Sequence, residues 1–340
     1  MNRLAIVVLN WNGIDETLPC IDSLLDQTYK DFQIIVVENG STDNSSELLK
    51  EKQKEVGSKK LHVIFSKVNT GFAGGVNIGI NYALARDFEG IALFNNDAIA
   101  DKNWLKELAH SMSLQPHTGI VTSLLLHADG KTIDSTGDWY STWGLSFPRS
   151  RNAPKRNAPK AGYVFSGSGG ASLYRAKMLE DIGNFDDKFF AYYEDVDVSF
   201  RAQLAGWEVY YNPKAIAYHE QGVTSGKISG FTTYQTFKNW PMLFIKDVPG
   251  ELLFKIGIRF WLAYTLLFIN TIRNKTFWPA LKGWVAGVWL VFSHALPRRI
   301  EIQKSKVVET KYIEKMLWDG VPPDQSGLLK FQQFFTRRKK

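Results

Sequence analysis

The first hundred residues of this chain repeat one pattern four times. A short, almost continuous apolar run is followed by a cluster of Asn, Asp, Glu, Gly and Ser, and then by residues at helical spacing. The runs are Leu4–Leu9, Phe32–Val37, Leu61–Phe65 and Ile91–Phe94. Helical spacing follows through Leu18, Ile21, Leu24 and Leu25, then after Asn44, then through Ile78, Tyr82 and Leu84. Runs without polar alternation read as strands covered on both faces. Their alternation with helices predicts an α/β fold with a mostly parallel sheet flanked by helices. The polar clusters then share the carboxyl edge of the sheet, where open α/β sheets bind their ligands. They are Asn10-Trp11-Asn12-Gly13, Glu38 to Asp43, Asn69 to Asn77 and Asn95-Asn96-Asp97. Any one of them is an ordinary turn; four on one edge point to a polar ligand of nucleotide size.

Asn95-Asn96-Asp97 sets a carboxylate beside two amides. That chemistry suits a hard divalent cation, Mg2+ or Mn2+, shared with a diphosphate. The glycine-rich stretch around Gly71 and Gly74 matches neither the dinucleotide nor the P-loop pattern, and it follows the third strand rather than the first. Its glycines allow close approach of backbone to ligand. A nucleotidyltransferase is one alternative for such a chain. It would carry a glycine-rich loop with a basic residue after the first strand, and Asn10-Trp11-Asn12-Gly13 has none.

Further on, Gly119–Ser123 reads as a strand. Residues 127–160 read as an irregular, mobile insert that holds a tandem Arg-Asn-Ala-Pro-Lys repeat. Glu194 and Asp195 open a helix, where the macrodipole favours ionised carboxylates and hence a general base; plain capping is the other reading. Asp197 and Arg201 form an i,i+4 pair expected on the helix surface. Two strands, 207–211 and 215–218, follow, and the second ends at His219, a metal-ligand candidate.

A single cysteine, Cys20, excludes an internal disulfide and fits a reducing compartment. Leu4–Leu9 is too short for a secretory signal. Charge is uneven: from Trp240 onward 17 Lys+Arg stand against 7 Asp+Glu, leaving 24 against 27 before it. This back part is rich in Trp and apolar runs, the longest being the 13 residues between Arg259 and Arg273, short of the ~20 a spanning helix needs. We expect two units, 1–230 and 231–340. The second reads as amphipathic helices lying on an anionic inner-membrane surface, with the tail Arg337–Lys340 facing lipid. A tilted spanning hairpin and a homo-oligomer interface are the other readings. Basic residues set among long apolar runs argue against nucleic acid.

Taken in order, Asn10-Trp11-Asn12, Val37 to Asp43, Asn69 to Asn77, Asn95-Asn96-Asp97, Tyr193-Glu194-Asp195-Val196-Asp197 and His219 resemble the family 2 inverting glycosyltransferases of GT-A fold, closest to the rhamnosyltransferase-like branch, over about residues 3–225. The resemblance implies a nucleotide-sugar donor (dTDP-rhamnose or a UDP-sugar), a divalent metal, and a lipid-linked or polysaccharide acceptor. Asn10, Asn12 and Glu38 would line the base and ribose pocket, Asn39 would bind the donor as well, and Asp43 belongs to the same loop, as a donor-binding or only a helix-start residue. Asn69, Gly71, Gly74 and Asn77 would serve the nucleoside and sugar side. Asn95, Asn96 and Asp97 occupy the Asp-x-Asp position, with Asp97 and His219 on the metal; Asp195 is the base and Glu194 its fallback. Two departures stand out: Glu38 where Asp is common, and Asn95 where the first Asp belongs. A single metal carboxylate also motivates a second alternative, a nucleotide-sugar-binding scaffold without turnover.

Overall fold

The computed structural model describes residues 3–220, 228–325 and 327–329; the tail Arg337–Lys340 lies outside them. The strands are β1 (Leu4–Asn10), β2 (Phe32–Asn39), β3 (Leu61–Ser66), β4 (Gly90–Asn95), β5 (Ala98–Ala100), β6 (Thr118–His127), β7 (Ile133–Ser135), β8 (Asp138–Tyr140), β9 (Ser146–Pro148), β10 (Gly162–Tyr163), β11 (Ala171–Arg175) and β12 (Glu208–His219). The helices are α1 (Ile14–Leu25), α2 (Ser45–Val56), α3 (Gly71–Leu84), α4 (Trp104–Leu114), α5 (Ala176–Ile182), α6 (Glu194–Leu204), α7 (Phe231–Asp247), α8 (Gly250–Arg273), α9 (Phe277–Leu290), α10 (Leu296–Lys304) and α11 (Thr310–Met316).

Eight strands run β10-β12-β6-β11-β4-β1-β2-β3 across one sheet, with β5 and β7 attached to β12 and β6. The pairs β1–β2, β2–β3, β1–β4 and β6–β12 are parallel, while β11 lies antiparallel between β4 and β6. The expected mostly parallel sheet is present. Every residue of β2 is buried, as its unbroken apolar run requires. The order reverses between β1 and β4, and the crevice that such a reversal opens is where α/β sheets bind ligands. Helix α3 lies hard against β1 because Gly75 and Gly79 face it. A Cβ at these positions would stand 2.4 Å from Leu9 Cδ1 and 2.5 Å from Val7 Cγ1.

Three expectations need correction. Residues 208–219 form one bent strand rather than two, its register shifting between Asn212 and Ile216. The 127–160 insert is folded, not loose. β7 pairs with β6, Lys155 N–H donates to Lys131 O at 2.7 Å, and Tyr140, Trp143, Leu145 and Phe147 are buried. The Asp197–Arg201 pair, 2.8 Å apart, is interior rather than superficial, with side chains 0% and 5% exposed. Lys246 from α7 covers it and pairs with Asp197 and Asp186.

That contact belongs to a core that crosses residue 230. Tyr140, Phe165, Phe189 and Phe200 share it with Phe237, Phe244, Phe260 and Tyr264. Pro241 within α7 takes away the N–H that would bond Phe237 O, and the Tyr264 hydroxyl donates to that carbonyl instead, at 2.7 Å. Gly283 lets α9 settle on α7, since a Cβ there would meet Tyr234 O at 2.3 Å. The opposite faces of α8 and α9 are bare: Phe254, Ile258, Ile272, Trp278 and Trp289 are all exposed, as is Phe292 in the π-helical turn Val291–Ala295 that continues α9. Among the described residues one helix, α8, is long and apolar enough to cross a membrane by length and composition.

Candidate active site

The carboxyl ends of β1 and β2 lie side by side, Asn10 in register with Glu38. Both are buried and bonded to each other. Glu38 also accepts from Ser41 N at 2.6 Å and Ser41 Oγ at 2.9 Å, and Thr17 Oγ1 donates to Asn10 Oδ1 at 2.8 Å. A buried carboxylate must find donors nearby, and Glu38 finds them in its own loop. Asn12, in left-handed backbone at φ 49°, accepts Thr42 N–H at 2.8 Å. These residues therefore shape a loop wall at the switch point. Asp43 is exposed and accepts Ser45 N–H at the start of α2.

Asn39 holds the next loop. Its amide donates to Asn69 Oδ1 and Gly71 O, both at 3.1 Å, and its oxygen accepts from Thr70 N and Oγ1. Asn69 Oδ1 in turn accepts Gly71 N–H at 2.8 Å. Gly71 has φ +74°, and a Cβ there would sit 2.5 Å from Phe190 O, so only glycine serves. Gly74 lies one turn in, against Thr70. Asn77 is placed elsewhere: both ends of its amide bond the backbone of Phe185, at 2.7 and 3.1 Å. Two turns inside α3, it pins the turn after α5 rather than reaching the cleft edge.

At the end of β4, Asn96 donates to Thr17 Oγ1 at 3.0 Å. Asp97 Oδ1 lies 3.1 Å from His219 Nε2, and Asn95 Nδ2 lies 3.2 Å from the same nitrogen. On the far side of the ring, Nδ1 lies 2.7 Å from Asp134 Oδ2, and Asp134 is paired with Arg151 at 2.8 Å. Burial pulls the His219 pKa down, but Asp134 and Asp97 outweigh it and raise it to about 9. Sequence reasoning missed Asp134, because it sits in the insert that looked irregular, where Thr132-Ile133-Asp134-Ser135-Thr136 carries no strand-like apolar pattern.

The same edge carries Asp195. Its Oδ2 accepts Gly169 N–H at 2.9 Å and its Oδ1 accepts Val196 N–H at 2.8 Å. Next to Gly169, Gly170 accepts Asn95 N–H at 2.9 Å through its carbonyl. One turn thus joins Asp195 to the Asn95–His219–Asp97 group. Burial raises the Asp195 pKa against the two N–H bonds, and it raises the Glu194 pKa well above the ordinary value, with the Asp195 charge adding to it. Glu194 is 6% exposed and its Oε2 has no hydrogen-bond partner among the described residues.

The sequence model of Glycosyl transferase family 2 matches residues 5–183. The chain belongs to this family. As a glycosyltransferase it is 24% identical over 300 residues to the low-salt glycan biosynthesis hexosyltransferase Agl10 of Haloferax volcanii, covering 85% of this chain and 92% of that one. It is 24% identical to the N-acetylglucosaminyl-diphospho-decaprenol L-rhamnosyltransferase of Mycobacterium tuberculosis (strain H37Rv), over 59% of this chain and 70% of the relative. Among solved structures, the mannosyltransferase of Pyrobaculum calidifontis in complex with GDP-Man and Mn2+ superposes with a TM-score of 0.55 at 14% identity, covering 92% of this chain and 83% of that one. The GT-A fold expected from the sequence is the fold observed, with a C-terminal region of several helices.

A divalent cation at Asp97 needs further donors beside that carboxylate. Among the described residues no three His, Cys, Asp or Glu side chains form a cage. What the edge does offer is one carboxylate, one imidazole and one amide, with the imidazole steered through Nδ1 by Asp134. Metal-binding histidines are oriented in this way, and Mg2+ or Mn2+ commonly takes few protein ligands plus substrate phosphate oxygens. The residues fit such an ion.

Proposed function

We propose that the protein is an inverting transferase that moves a hexosyl or deoxyhexosyl group from a nucleotide sugar, dTDP-rhamnose or a UDP-sugar, to a hydroxyl of a lipid-linked or polysaccharide acceptor in cell-surface glycan synthesis. The observation that carries this reading is the 168–170 turn. Gly169 holds Asp195 and Gly170 holds Asn95, so a base and a diphosphate-facing edge share one support. Asn10, Asn12, Glu38 and Asn39 shape the nucleoside side, and Asn69, Gly71 and Gly74 the edge nearer the sugar. Asp97 and His219 would hold Mg2+ or Mn2+. That ion, when bound, supplies charge neutralisation to the departing diphosphate.

Asp195 accepts the proton of the acceptor hydroxyl as the oxygen attacks the anomeric carbon. The new C–O bond forms opposite the bond to the diphosphate, which breaks and leaves with its electron pair, so configuration inverts in one displacement. A carboxyl whose pKa is raised is a stronger base once ionised. Glu194 lacks the Gly169 contact that sets Asp195 at this edge, its Oε2 having no hydrogen-bond partner among the described residues, and is the weaker candidate.

The bare apolar stripes of α8 and α9 favour attachment to the cytoplasmic face of the inner membrane. The inner stripe of α8 supports lying on the surface over spanning it. Phe260 stacks on Phe244 of α7 with ring centroids 4.2 Å apart, which ties α8 to the catalytic unit. The deciding experiment is a screen of dTDP-, UDP- and GDP-sugars with Mn2+, following released nucleotide and the anomeric configuration of the product. Retained configuration, or no release with any donor, would defeat the proposal.

A further inference from the structure

The backbone just ahead of Asp195 is bent in a way bulky side chains avoid. Phe190, Tyr192 and Tyr193 hold left-handed conformations, at φ 63°, 70° and 72°. Such conformations are strained and persist only where the surroundings over-determine them. Here the surroundings come mainly from α7, outside the part of the chain that matches the family. Asn239, fully buried, directs Nδ2 at three carbonyl oxygens, those of Phe189 at 3.0 Å, Ala191 at 2.9 Å and Tyr192 at 2.8 Å. Its neighbour Lys238 donates to Lys188 O at 3.1 Å and Phe189 O at 3.0 Å. From the other side, Ala73 N–H at the start of α3 donates to Phe190 O at 3.1 Å. Trp240 meets the Tyr193 ring, with centroids 5.8 Å apart. Two turns further along α7, Lys246 pairs with Asp197 in the same helix as Asp195.

We infer that Asn239 and Lys238 are positioning residues for Asp195: they clamp the carbonyls of residues 188–192 and so fix where α6 begins. The inference rests on the reading of Asp195 as the base. Five bonds from two adjacent side chains converge on the one segment whose conformation decides the direction of that carboxylate. A catalytic group moved by about 1 Å loses roughly 10²-fold in rate, so a clamp on its backbone bears on turnover as well as on folding.

The test uses the full chain as wild type, Asn239→Ala, Asn239→Asp, Lys238→Met and Asp195→Asn. Two quantities are measured: hydrogen–deuterium exchange of the amides in 189–196, and kcat with donor KM for whichever of the UDP-, dTDP- or GDP-sugars is turned over with Mn2+. In Asn239→Ala, exchange across 189–196 should quicken about tenfold or more while the sheet stays protected. kcat should fall about 10²-fold, with donor KM within about threefold. Asn239→Asp, which turns a carboxylate on three carbonyls, should be at least as slow. Lys238→Met keeps the stem and should show the same split more weakly; it carries the test if the Asn239 variants do not fold. Unchanged exchange, or faster exchange with full kcat, overturns the inference and leaves Asp195 as base. Wild-type turnover in Asp195→Asn overturns the base reading, and the positioning with it.

Discussion

His219 is held from both sides: Nδ1 stands 2.7 Å from Asp134 Oδ2, and Nε2 stands 3.1 Å from Asp97 Oδ1. A carboxylate on one ring nitrogen sets the direction and basicity of the other. Asp134→Ala should therefore keep the fold and weaken metal binding about 10–100-fold, read as the Mn2+ concentration giving half-maximal turnover and as bound Mn2+ by spin resonance. An unchanged Mn2+ requirement would reduce Asp134 to an anchor for Arg151.

Asp97 is the one carboxylate at the end of β4. Asp97→Ala should abolish turnover, and chelator should inactivate the wild type, with Mn2+ or Mg2+ restoring it. Full activity in chelator would strip Asp97 and His219 of their proposed roles.

Asp195→Asn keeps the size of the side chain and removes its proton affinity. Rate should drop about 10²–10⁴-fold, with donor affinity and Tm nearly unchanged, and Glu194→Gln should be milder. Burial raises the Asp195 pKa, so the acid limb of the wild-type pH–rate profile should lie above the usual carboxylate value near 4. Activity climbs with pH through that limb because the ionised form is the base. A dead Glu194→Gln beside an active Asp195→Asn would shift the assignment by one residue.

Lys246 joins Asp186 and Asp197 inside the protein, its side chain 1% exposed. Burial works against both carboxylates, yet His294 and Lys246 around Asp186, and Arg201 and Lys246 around Asp197, hold their pKa values below the ordinary one. Their stabilisation is in place above about pH 4 and is lost as pH falls through the lowered folded values. Removing one partner of such a buried group costs about 3–5 kcal/mol. Lys246→Met should lower Tm sharply at pH 7 and flatten the acid side of the Tm–pH curve. A Tm within a degree or two of wild type would mean that the site admits water.

The parts legible in the sequence are those fixed by local pattern. Apolar runs such as Ile34–Val37 have only a buried strand open to them, and the Asn, Asp and Gly clusters had to follow at the carboxyl edge. Asp97, His219 and Asp195 stand out in the sequence because each closes or follows a strand or starts a helix. The remainder depends on distant partners. Asp197 and Arg201 looked superficial because nothing at i,i+4 spacing foretells Lys246 arriving from α7. Asp134 and Asn239 reach His219 and Phe189 across 85 and 50 residues of chain, and contacts made at such distances leave no periodicity. The insert looked loose because its strands are three residues long, too short for alternation to register.

The last prediction concerns the bare faces of α8 and α9. Phe254 is 81% exposed, Trp289 67% and Phe292 70%, and singly exposed apolar residues need no explanation while a continuous stripe does. Lys255, Arg259, Arg273, Lys275 and Lys282 lie in or beside the same helices, and cations near an anionic leaflet add about 1 kcal/mol each. Burying a Phe side chain adds about 1.5–3 kcal/mol. The full chain should therefore sediment with phosphatidylserine-containing vesicles and be released by high salt or carbonate. The triple variant Phe254→Ser, Trp289→Ser, Phe292→Ser should stay in the supernatant with an unchanged Tm, since none of the three belongs to the shared core. Carbonate resistance would favour α8 crossing the bilayer. A chain that ignores vesicles and elutes as a dimer, with the triple variant a monomer, would make the stripe a contact between copies.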